Sequence, residues 1–264
     1  MTRIITALIG IPVLIYLIKF APIPIFVAVL FAAMVVCLYE YFSLTEIQKI
    51  PALMIAGYAF AALIFASFYF VKINFALWFP IGALVVLIAG LVSRIDFAGA
   101  LPATAYTLFG PWYTAGLLGY LILIRNVDKI GANLVLSLFI IIWAGDTGAF
   151  IVGKSIGRRL LTKISPKKTV EGSFGGLIFS MLLAVVCKYF LLPELTVNNA
   201  LWLGALIGIM GQIGDLAESL LKRSANVKDS GSILPGHGGM LDRLDSLLFG
   251  APAMYYYVYF VLNR

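Results

Sequence analysis

Residues 131–152 read GANLVLSLFIIIWAGDTGAFIV, and Asp146 is the only charged residue among them. About 20 mostly apolar residues are enough for a helix to cross the ~30 Å hydrocarbon core of a bilayer. Comparable apolar runs occur at 4–18, 23–39, 51–70, 75–92, 101–124, 172–192, 200–221 and 244–262. The sequence therefore predicts an all-α, polytopic integral membrane helix bundle with about nine transmembrane helices, the fifth interrupted at Gly110-Pro111.

The composition supports the same class. Of the 264 residues, 62% are hydrophobic and 12% are charged, which argues against a water-soluble enzyme and against a disordered chain. The net charge of +7 is best interpreted as basic cytoplasmic loops facing anionic lipid, so no nucleic-acid partner is expected. A cytoplasmic N-terminus places 13 of the 19 basic residues on the cytoplasmic side, and this predicts the orientation.

Acidic residues are concentrated in the second half of the chain. Residues 1–130 hold 4 of the 12 acids, and residues 131–264 hold the other 8. The second half also contains two long polar loops, at about 153–171 and 222–243. We expect a single membrane domain in which 1–130 forms scaffold helices and 131–264 carries the catalytic helices with their two cytoplasmic loops.

The run from Gly208 to Arg223, GIMGQIGDLAESLLKR, places its small and polar residues at helical spacing on one face. An ionised side chain inside a membrane helix costs about 2.5–3.5 kcal/mol on insertion scales. A helix end emerging into water would account for Lys222 and Arg223. It does not account for Asp215, which lies two turns deeper and follows glycines that we expect to open space beside it.

A glycine-rich loop follows this helix and contains four glycines and a proline between Gly231 and Gly239. Successive backbone amides in such a loop can bind an anion. Asp242 and Asp245 come next, at the start of the last helix, where a carboxylate is favourable whatever its function. Together with Asp215 they could hold Mg²⁺, which typically takes one or two carboxylates plus phosphate oxygens. His237, the only histidine, is more consistent with hydrogen bonding or loop structure than with zinc binding.

The segment from Ser165 to Gly172, SPKKTVEG, precedes another helix. Thr169 is a predicted N-cap, and the free amides of that helix start would form an anion site beside Lys167 and Lys168. The alternative is that these lysines only set the membrane topology. Asp146 is a second costly acid within an apolar run. Acids interleaved with fixed cations indicate a metal with a polyphosphate, and the membrane setting indicates that one substrate is a lipid.

Three motifs in the second half resemble the phosphatidate cytidylyltransferases (CDP-diacylglycerol synthases). The longest runs from Ser219 to Asp245 as S-x2-KR-x4-KDSG-x3-PGHGG-x2-DR-x-D. The shorter two are DTGA from Asp146 and SPKKT-x-EG from Ser165. In the first half, only the hydropathy and Glu40 at the end of the second run match the family.

The resemblance implies the reaction CTP + phosphatidate → CDP-diacylglycerol + diphosphate, dependent on Mg²⁺. It also implies a multi-pass homodimer in the cell's inner membrane, with the active site at the cytoplasmic face. The expected catalytic residues are Asp215, Ser219, Lys222, Asp242, Arg243 and Asp245. The expected substrate-binding residues are Lys167, Lys168, Thr169, Arg223, Lys228, Asp229, His237, Gly238 and Gly239. The expected metal ligands are Asp215 and Asp242, with Asp146 and Glu171 as further candidates that could hold a second ion.

Two alternatives remain open at this stage. The same chemistry could act on another lipid phosphate, such as an ether lipid, because no motif senses the acyl chains. A cation-coupled transporter could also use Asp146 and Asp215, but it would be expected to carry few fixed cations and to extend polar groups to both membrane faces.

Overall fold

The computed structural model describes residues 2–70, 75–233 and 238–262. Each apolar run found in the sequence is helical. The helices are α1 (Thr2–Lys19), α2 (Ile23–Ile47), α3 (Met54–Tyr69), α4 (Phe75–Val92), α5 (Phe97–Pro111), α6 (Tyr120–Arg125), α7 (Gly131–Ile156), α8 (Val170–Phe190), α9 (Val197–Ser224) and α10 (Leu241–Val261). The predicted all-α class is confirmed.

Several of these helices are suited to a bilayer. Within the described residues, five segments are long and apolar enough to span it: 23–47, 97–125, 131–156, 170–190 and 197–224. Three shorter segments, 10–19, 54–69 and 77–92, are also apolar. The protein is therefore a polytopic membrane protein. The number of nine spans and the cytoplasmic N-terminus stay predictions.

The fifth apolar run is not one regular helix. α5 ends at Pro111, a π-helical turn covers Trp112–Gly116, and α6 begins at Tyr120. Proline has no N–H to donate, so the helical hydrogen-bond ladder is interrupted at this point. Within this irregular turn the Thr114 hydroxyl donates to the Gly110 carbonyl oxygen at 2.8 Å. The irregularity follows directly on the Gly110-Pro111 pair at which the sequence predicts it.

The chain packs as two compact units. One lies mainly within 22–123 and 221–243, and the other within 6–21, 124–220 and 244–264. The boundary at 123–124 lies near the division at residue 130 suggested by the acid distribution. However, the loop at 221–243 packs with first-half helices. The assignment of scaffold and catalytic roles to the two halves stays a prediction.

In the first unit, aromatic rings of α2 fill the space left by glycines. A Cβ atom on Gly110 would lie 2.6 Å from the Tyr41 ring, and one on Gly57 would lie 2.5 Å from Phe42 Cζ. Both aromatic side chains are almost fully buried. Small residues allow this close approach of α2 to α3 and α5 where lipid supplies no hydrophobic driving force between helices.

In the second unit, α7 and α8 approach each other backbone to backbone. A Cβ on Gly172 would lie 2.8 Å from the Ala149 carbonyl oxygen, and one on Gly176 would lie 2.8 Å from the Gly145 carbonyl oxygen. The glycines of α9 serve the same purpose, since a Cβ on Gly204 would lie 2.8 Å from the Ser180 carbonyl oxygen. The glycines predicted to open space beside Asp215 also admit neighbouring helices, since a Cβ on Gly208 would lie 2.9 Å from Ser180 Cβ of α8 and one on Gly214 would lie 2.5 Å from the Asp245 carbonyl oxygen of α10.

Candidate active site

The second unit contains a cavity of about 530 Å³ with both charged and apolar walls. α7, the start of α8, α9 and the loop before α8 all contribute to it. Its lining includes Asp146, Phe150, Lys154, Leu161, Ser165, Lys167, Lys168, Thr169, Ser173, Gln212, Asp215 and Leu216. We call it the Asp146–Asp215 cavity. Its volume lies within the range of roughly 300–1,000 Å³ that small-molecule sites occupy.

Helical periodicity explains which side chains line this cavity. Asp146, Phe150 and Gly153 on α7 are spaced by four and three residues, so they share one helix face. Gln212 and Asp215 on α9 are three apart and do the same. Gln212 is held in place by α8, because its Nε2 donates to the Ser173 carbonyl oxygen at 3.1 Å. Two residues of the polar face predicted for α9 therefore meet the cavity, together with Leu216, which the sequence placed away from that face.

The Lys168 ammonium group forms an ion pair with the Asp215 carboxylate, and each side chain is about three-tenths exposed. Asp146 lines the same cavity as this ion pair. Lys154 and Lys167 line the same cavity. Three lysines and two aspartates thus line one cavity. This arrangement suits a polyanion better than a bare cation.

The loop that carries Lys167 and Lys168 is a short hairpin. The Leu161 N–H donates to the Lys168 carbonyl oxygen at 2.9 Å, beside an antiparallel bridge between Leu160 and Thr169. Glu171 Oε2 accepts the N–H groups of Arg158 and Arg159 at 3.0 and 3.2 Å. Glu171 therefore anchors the loop to α8, and its predicted role as a metal ligand stays a prediction.

Thr169 caps α8 as predicted, because its Oγ1 accepts the Gly172 N–H at 3.1 Å. The helix start does not offer the free amides that the sequence suggested, however. The Val170 N–H donates to the Arg159 carbonyl oxygen at 2.9 Å, so two N-terminal amides are already used within the chain. The fold satisfies these donors through the cap and the hairpin. The lysines of this segment, rather than its amides, are left to meet an anion.

The first unit contains a second polar cluster, centred on Asp242. Lys222 Nζ lies 2.5 Å from Asp242 Oδ1, and the two side chains are only 11% and 9% exposed. Asp242 Oδ2 accepts the Ser230 N–H, the Ser230 hydroxyl and the Gly239 N–H, each at 3.0 Å. These contacts explain how a nearly buried carboxylate is tolerated, since every oxygen is paired.

Glu40 completes this cluster, and sequence reasoning gave it no role in the site. Its carboxylate accepts the Ser230 hydroxyl at 3.0 Å, the Met240 N–H at 2.9 Å and the Leu241 N–H at 2.8 Å. We call Glu40, Lys222, Ser230 and Asp242 the Glu40 clamp. The sequence did contain a signal for Glu40, because this acid directly follows the apolar run 23–39. Hydropathy places the helix end there, whereas α2 continues to Ile47.

The other predicted residues have varied surroundings. Ser219 Oγ donates to Asp215 Oδ1 at 3.5 Å, Arg223 Nη1 donates to the Val227 carbonyl oxygen at 2.8 Å, and Asp245 Oδ1 accepts the Ser246 N–H at 2.6 Å. Lys228, Asp229 and Arg243 are exposed. Gly238 has φ +82°, a conformation that favours glycine. His237 lies outside the described residues.

The predicted metal ligands belong to two different units. Across 2–70, 75–233 and 238–262, no group of three or more His, Cys, Asp or Glu side chains is placed to hold a metal ion. Asp146 and Asp215 line one cavity in the second unit. Asp242 belongs to the first unit and its carboxylate oxygens already accept hydrogen bonds. A Mg²⁺ ion shared by Asp215 and Asp242 stays a prediction.

Comparison with known proteins gives consistent relatives. The sequence model described as "Cytidylyltransferase family" matches residues 1–261. Phosphatidate cytidylyltransferase of Synechocystis is 54% identical over 125 residues, which are 47% of this chain and 42% of the relative. That of Bacillus subtilis is 46% identical over 138 residues, 52% and 51% of the two chains. That of Staphylococcus saprophyticus is 42% identical over 167 residues, 61% and 59%. The chain thus spans about half the length of these curated relatives.

Proposed function

The chain belongs to the cytidylyltransferase family, and from this premise we propose that it transfers the cytidylyl group of CTP to phosphatidate. An oxygen of the lipid phosphate attacks the α-phosphorus of CTP. The bond from that phosphorus to the oxygen bridging it to the β-phosphorus breaks, and diphosphate leaves with the electron pair. The products are CDP-diacylglycerol and diphosphate.

The observation that carries this proposal is the charge arrangement of the Asp146–Asp215 cavity. Lys154, Lys167 and Lys168 face two aspartates there, beside the apolar side chains of Phe150 and Leu161. Bringing an anionic lipid phosphate to a triphosphate costs about 4 kcal/mol for each pair of unit charges 4 Å apart at an effective dielectric of 20. Fixed ammonium groups reduce this repulsion, and phosphoryl transfer depends mainly on positioning and charge neutralisation.

The same cavity fits a magnesium ion. Mg²⁺ in nucleotide enzymes is commonly held by one or two carboxylates, with phosphate oxygens and water completing its shell. Asp146 and Asp215 supply two carboxylates to one cavity. When bound, Mg²⁺ would neutralise charge on the phosphates of CTP. Asp146 and Asp215 would hold it, and Lys168 would exchange its contact with Asp215 for a phosphate oxygen.

The Glu40 clamp supports the proposed binding of CTP by the loop before α10. It fixes the loop that carries Lys228, Asp229, Gly238 and Gly239, four of the predicted substrate-binding residues. Lys228 and Asp229 are exposed on this loop and therefore accessible to a soluble nucleotide. The roles proposed for Ser219, Arg223, Arg243 and Asp245 in binding or catalysis rest on the motif alone.

Placement in the cell is part of the same proposal. The excess of basic over acidic residues in the polar segments 153–171 and 222–243 supports a cytoplasmic face for the site. We further propose a homodimer in the cell's inner membrane, which rests on the family resemblance. The three cavity lysines favour nucleotidyl transfer over the cation-transport alternative, in which fixed cations would repel the transported ion.

The decisive test uses the full chain, purified in detergent, with CTP labelled at the α-phosphate and phosphatidate in mixed micelles with Mg²⁺. We expect the label to appear in a CDP-lipid, with one diphosphate released for each lipid formed. Replacing phosphatidate with an ether-linked lipid phosphate or a soluble phosphomonoester determines which phosphate is accepted. Well-folded protein that labels no lipid phosphate would refute the function, whereas labelling of the ether lipid alone would correct only the substrate.

A further inference from the structure

Glu40 is a charged residue deep in a hydrophobic helix. It lies in α2, which is long and apolar enough to span a bilayer, and it is only 1% exposed. Burying an isolated carboxylate is strongly unfavourable unless donors surround it. Its three donors all come from one segment, the glycine-rich loop and the first residue of α10, which lies about 200 residues away in sequence. Glu40 therefore fixes Ser230 in the first part of that loop, and Met240 and Leu241 where the loop meets α10.

Two glycines of the loop allow the backbone to lie close to this carboxylate. A Cβ atom on Gly231 would lie 2.7 Å from Glu40 Oε1, and one on Gly239 would lie 2.6 Å from Glu40 Oε2. Neither position could carry a side chain without displacing the loop or the acid. These two glycines are therefore required for close approach to Glu40, which explains part of the glycine content that the sequence attributed to anion binding.

Ser230 connects Glu40 to the rest of the clamp. Its hydroxyl oxygen lies 3.0 Å from Glu40 Oε2 and 3.0 Å from Asp242 Oδ2. A hydroxyl carries one proton, so the two carboxylates share a single donor there. Asp242 in turn holds Lys222 at 2.5 Å. A change at Glu40 is thus transmitted through Ser230 to the two charged residues of the motif.

We propose that Glu40 is a positioning residue for the proposed cytidylyl transfer. Its buried carboxylate holds residues 230–231 and 239–241 in the arrangement in which Lys222 and Asp242 are paired. Glu40 touches no substrate. This inference rests on the proposed function only for its kinetic consequence, because the effect on loop order can be measured without any activity.

The informative substitution is Glu40→Gln. Glu40 Oε1 accepts the Met240 N–H and Oε2 accepts the Leu241 N–H. Either orientation of a glutamine amide therefore sets its NH₂ group against a backbone N–H, although volume and shape are retained. Thr107→Val is the matched control. It removes a buried hydroxyl of the same unit, which accepts the Leu53 N–H at 2.9 Å, without touching the loop.

The first measurement is steady-state kinetics in detergent at a temperature where both variants remain folded. We expect Glu40→Gln to lower kcat/KM for CTP by about tenfold to 100-fold, as for a misplaced catalytic constellation. Thr107→Val should stay within about twofold of the wild type. Adding Ser230→Ala to Glu40→Gln should cost little more than either change alone, because both act through one network. Fully additive effects would contradict the coupling.

The second measurement is limited trypsin digestion, which requires no activity. Lys228 is exposed at the start of the loop, and Lys163 is exposed in the other unit and serves as an internal reference. We expect cleavage after Lys228, relative to Lys163, to accelerate in Glu40→Gln and to be unchanged in Thr107→Val. Unchanged cleavage with normal kinetics overturns the positioning role. Inactive wild-type protein with accelerated cleavage in Glu40→Gln would instead refute the proposed function and retain the positioning of the loop.

Discussion

Lys168 and Asp215 both line one cavity and form an ion pair with each other, although they are 47 positions apart in the chain. The lysine comes from the hairpin before α8 and the aspartate from α9. Both side chains remain partly exposed, so the pair can open without unfolding the surrounding helices. It therefore holds a cation and an anion ready in one cavity, where each can take a new partner.

Removal of the Lys168 charge should impair catalysis without affecting the fold. We expect Lys168→Gln to lower kcat by about 100-fold, the typical cost of losing one group that stabilises charge in the transition state. Lys163→Gln is the control, because Lys163 is exposed on the same hairpin and does not line the cavity. Formation of labelled CDP-lipid measures the effect. Equal activities of the two variants would contradict a role for Lys168.

Chelation should reveal the metal requirement. We expect EDTA to abolish activity and added Mg²⁺ to restore it. Asp146→Asn should raise the Mg²⁺ concentration needed for half-maximal activity by about tenfold or more, because one of two carboxylates in the cavity is lost. Asp128→Asn is the control, since Asp128 is an exposed acid of the same unit that does not line the cavity. Full activity in excess EDTA would eliminate the metal from the proposal.

The Lys222–Asp242 pair should matter for stability. Removing one partner of a buried pair leaves an uncompensated charge and typically costs about 3–5 kcal/mol. We expect Lys222→Met to lower the unfolding temperature markedly, and Lys222→Met with Asp242→Asn to recover part of the loss. A thiol-reactive dye can report unfolding, because Cys37 and Cys187 are buried and do not form a disulfide. If the single and double variants unfold at the same temperature, the pairing contributes little.

Close packing of α7 against α8 should make Gly172 intolerant of a side chain. A Cβ atom there would meet the Ala149 carbonyl oxygen at 2.8 Å, and backbone cannot move aside as a flexible side chain can. We expect Gly172→Ala to destabilise the protein by about 1–3 kcal/mol. Gly10→Ala is the control, because a Cβ there has no neighbour within 4 Å. The same dye assay applies, and equal stability of the two variants would disprove the tight contact.

The sequence predicts the helices well because bilayer burial imposes a simple rule on composition. Each apolar run became a helix, but α2 continues from residue 39 to Ile47 and α7 continues from residue 152 to Ile156. Hydropathy ends a helix at its first polar residues, whereas the backbone continues wherever packing or hydrogen bonds satisfy those residues. Glu40 is the clearest example, since its donors compensate its charge.

The candidate site was less predictable, because its contacts are long-range. Thr169 as an N-cap follows from local sequence and was found. The hydrogen bond from the Val170 N–H to the Arg159 carbonyl oxygen forms only when the hairpin closes. Local secondary-structure propensity does not reveal that closure. The Glu171 contact with the same hairpin and the Ser230 contact with Glu40 likewise arise only when distant segments pack. Motif spacing therefore predicts candidate residues but not the partners that each of them contacts.

The separation of Glu40 from its donors has a consequence for biosynthesis. The Leu241 amide is made 201 positions after Glu40, so at about 5–20 residues per second roughly 10–40 s pass between the two on the ribosome. During that interval Glu40 lacks the Met240 and Leu241 amides that donate to its carboxylate in the folded chain. The contacts that bury this acid can therefore form only after almost the whole chain has been made.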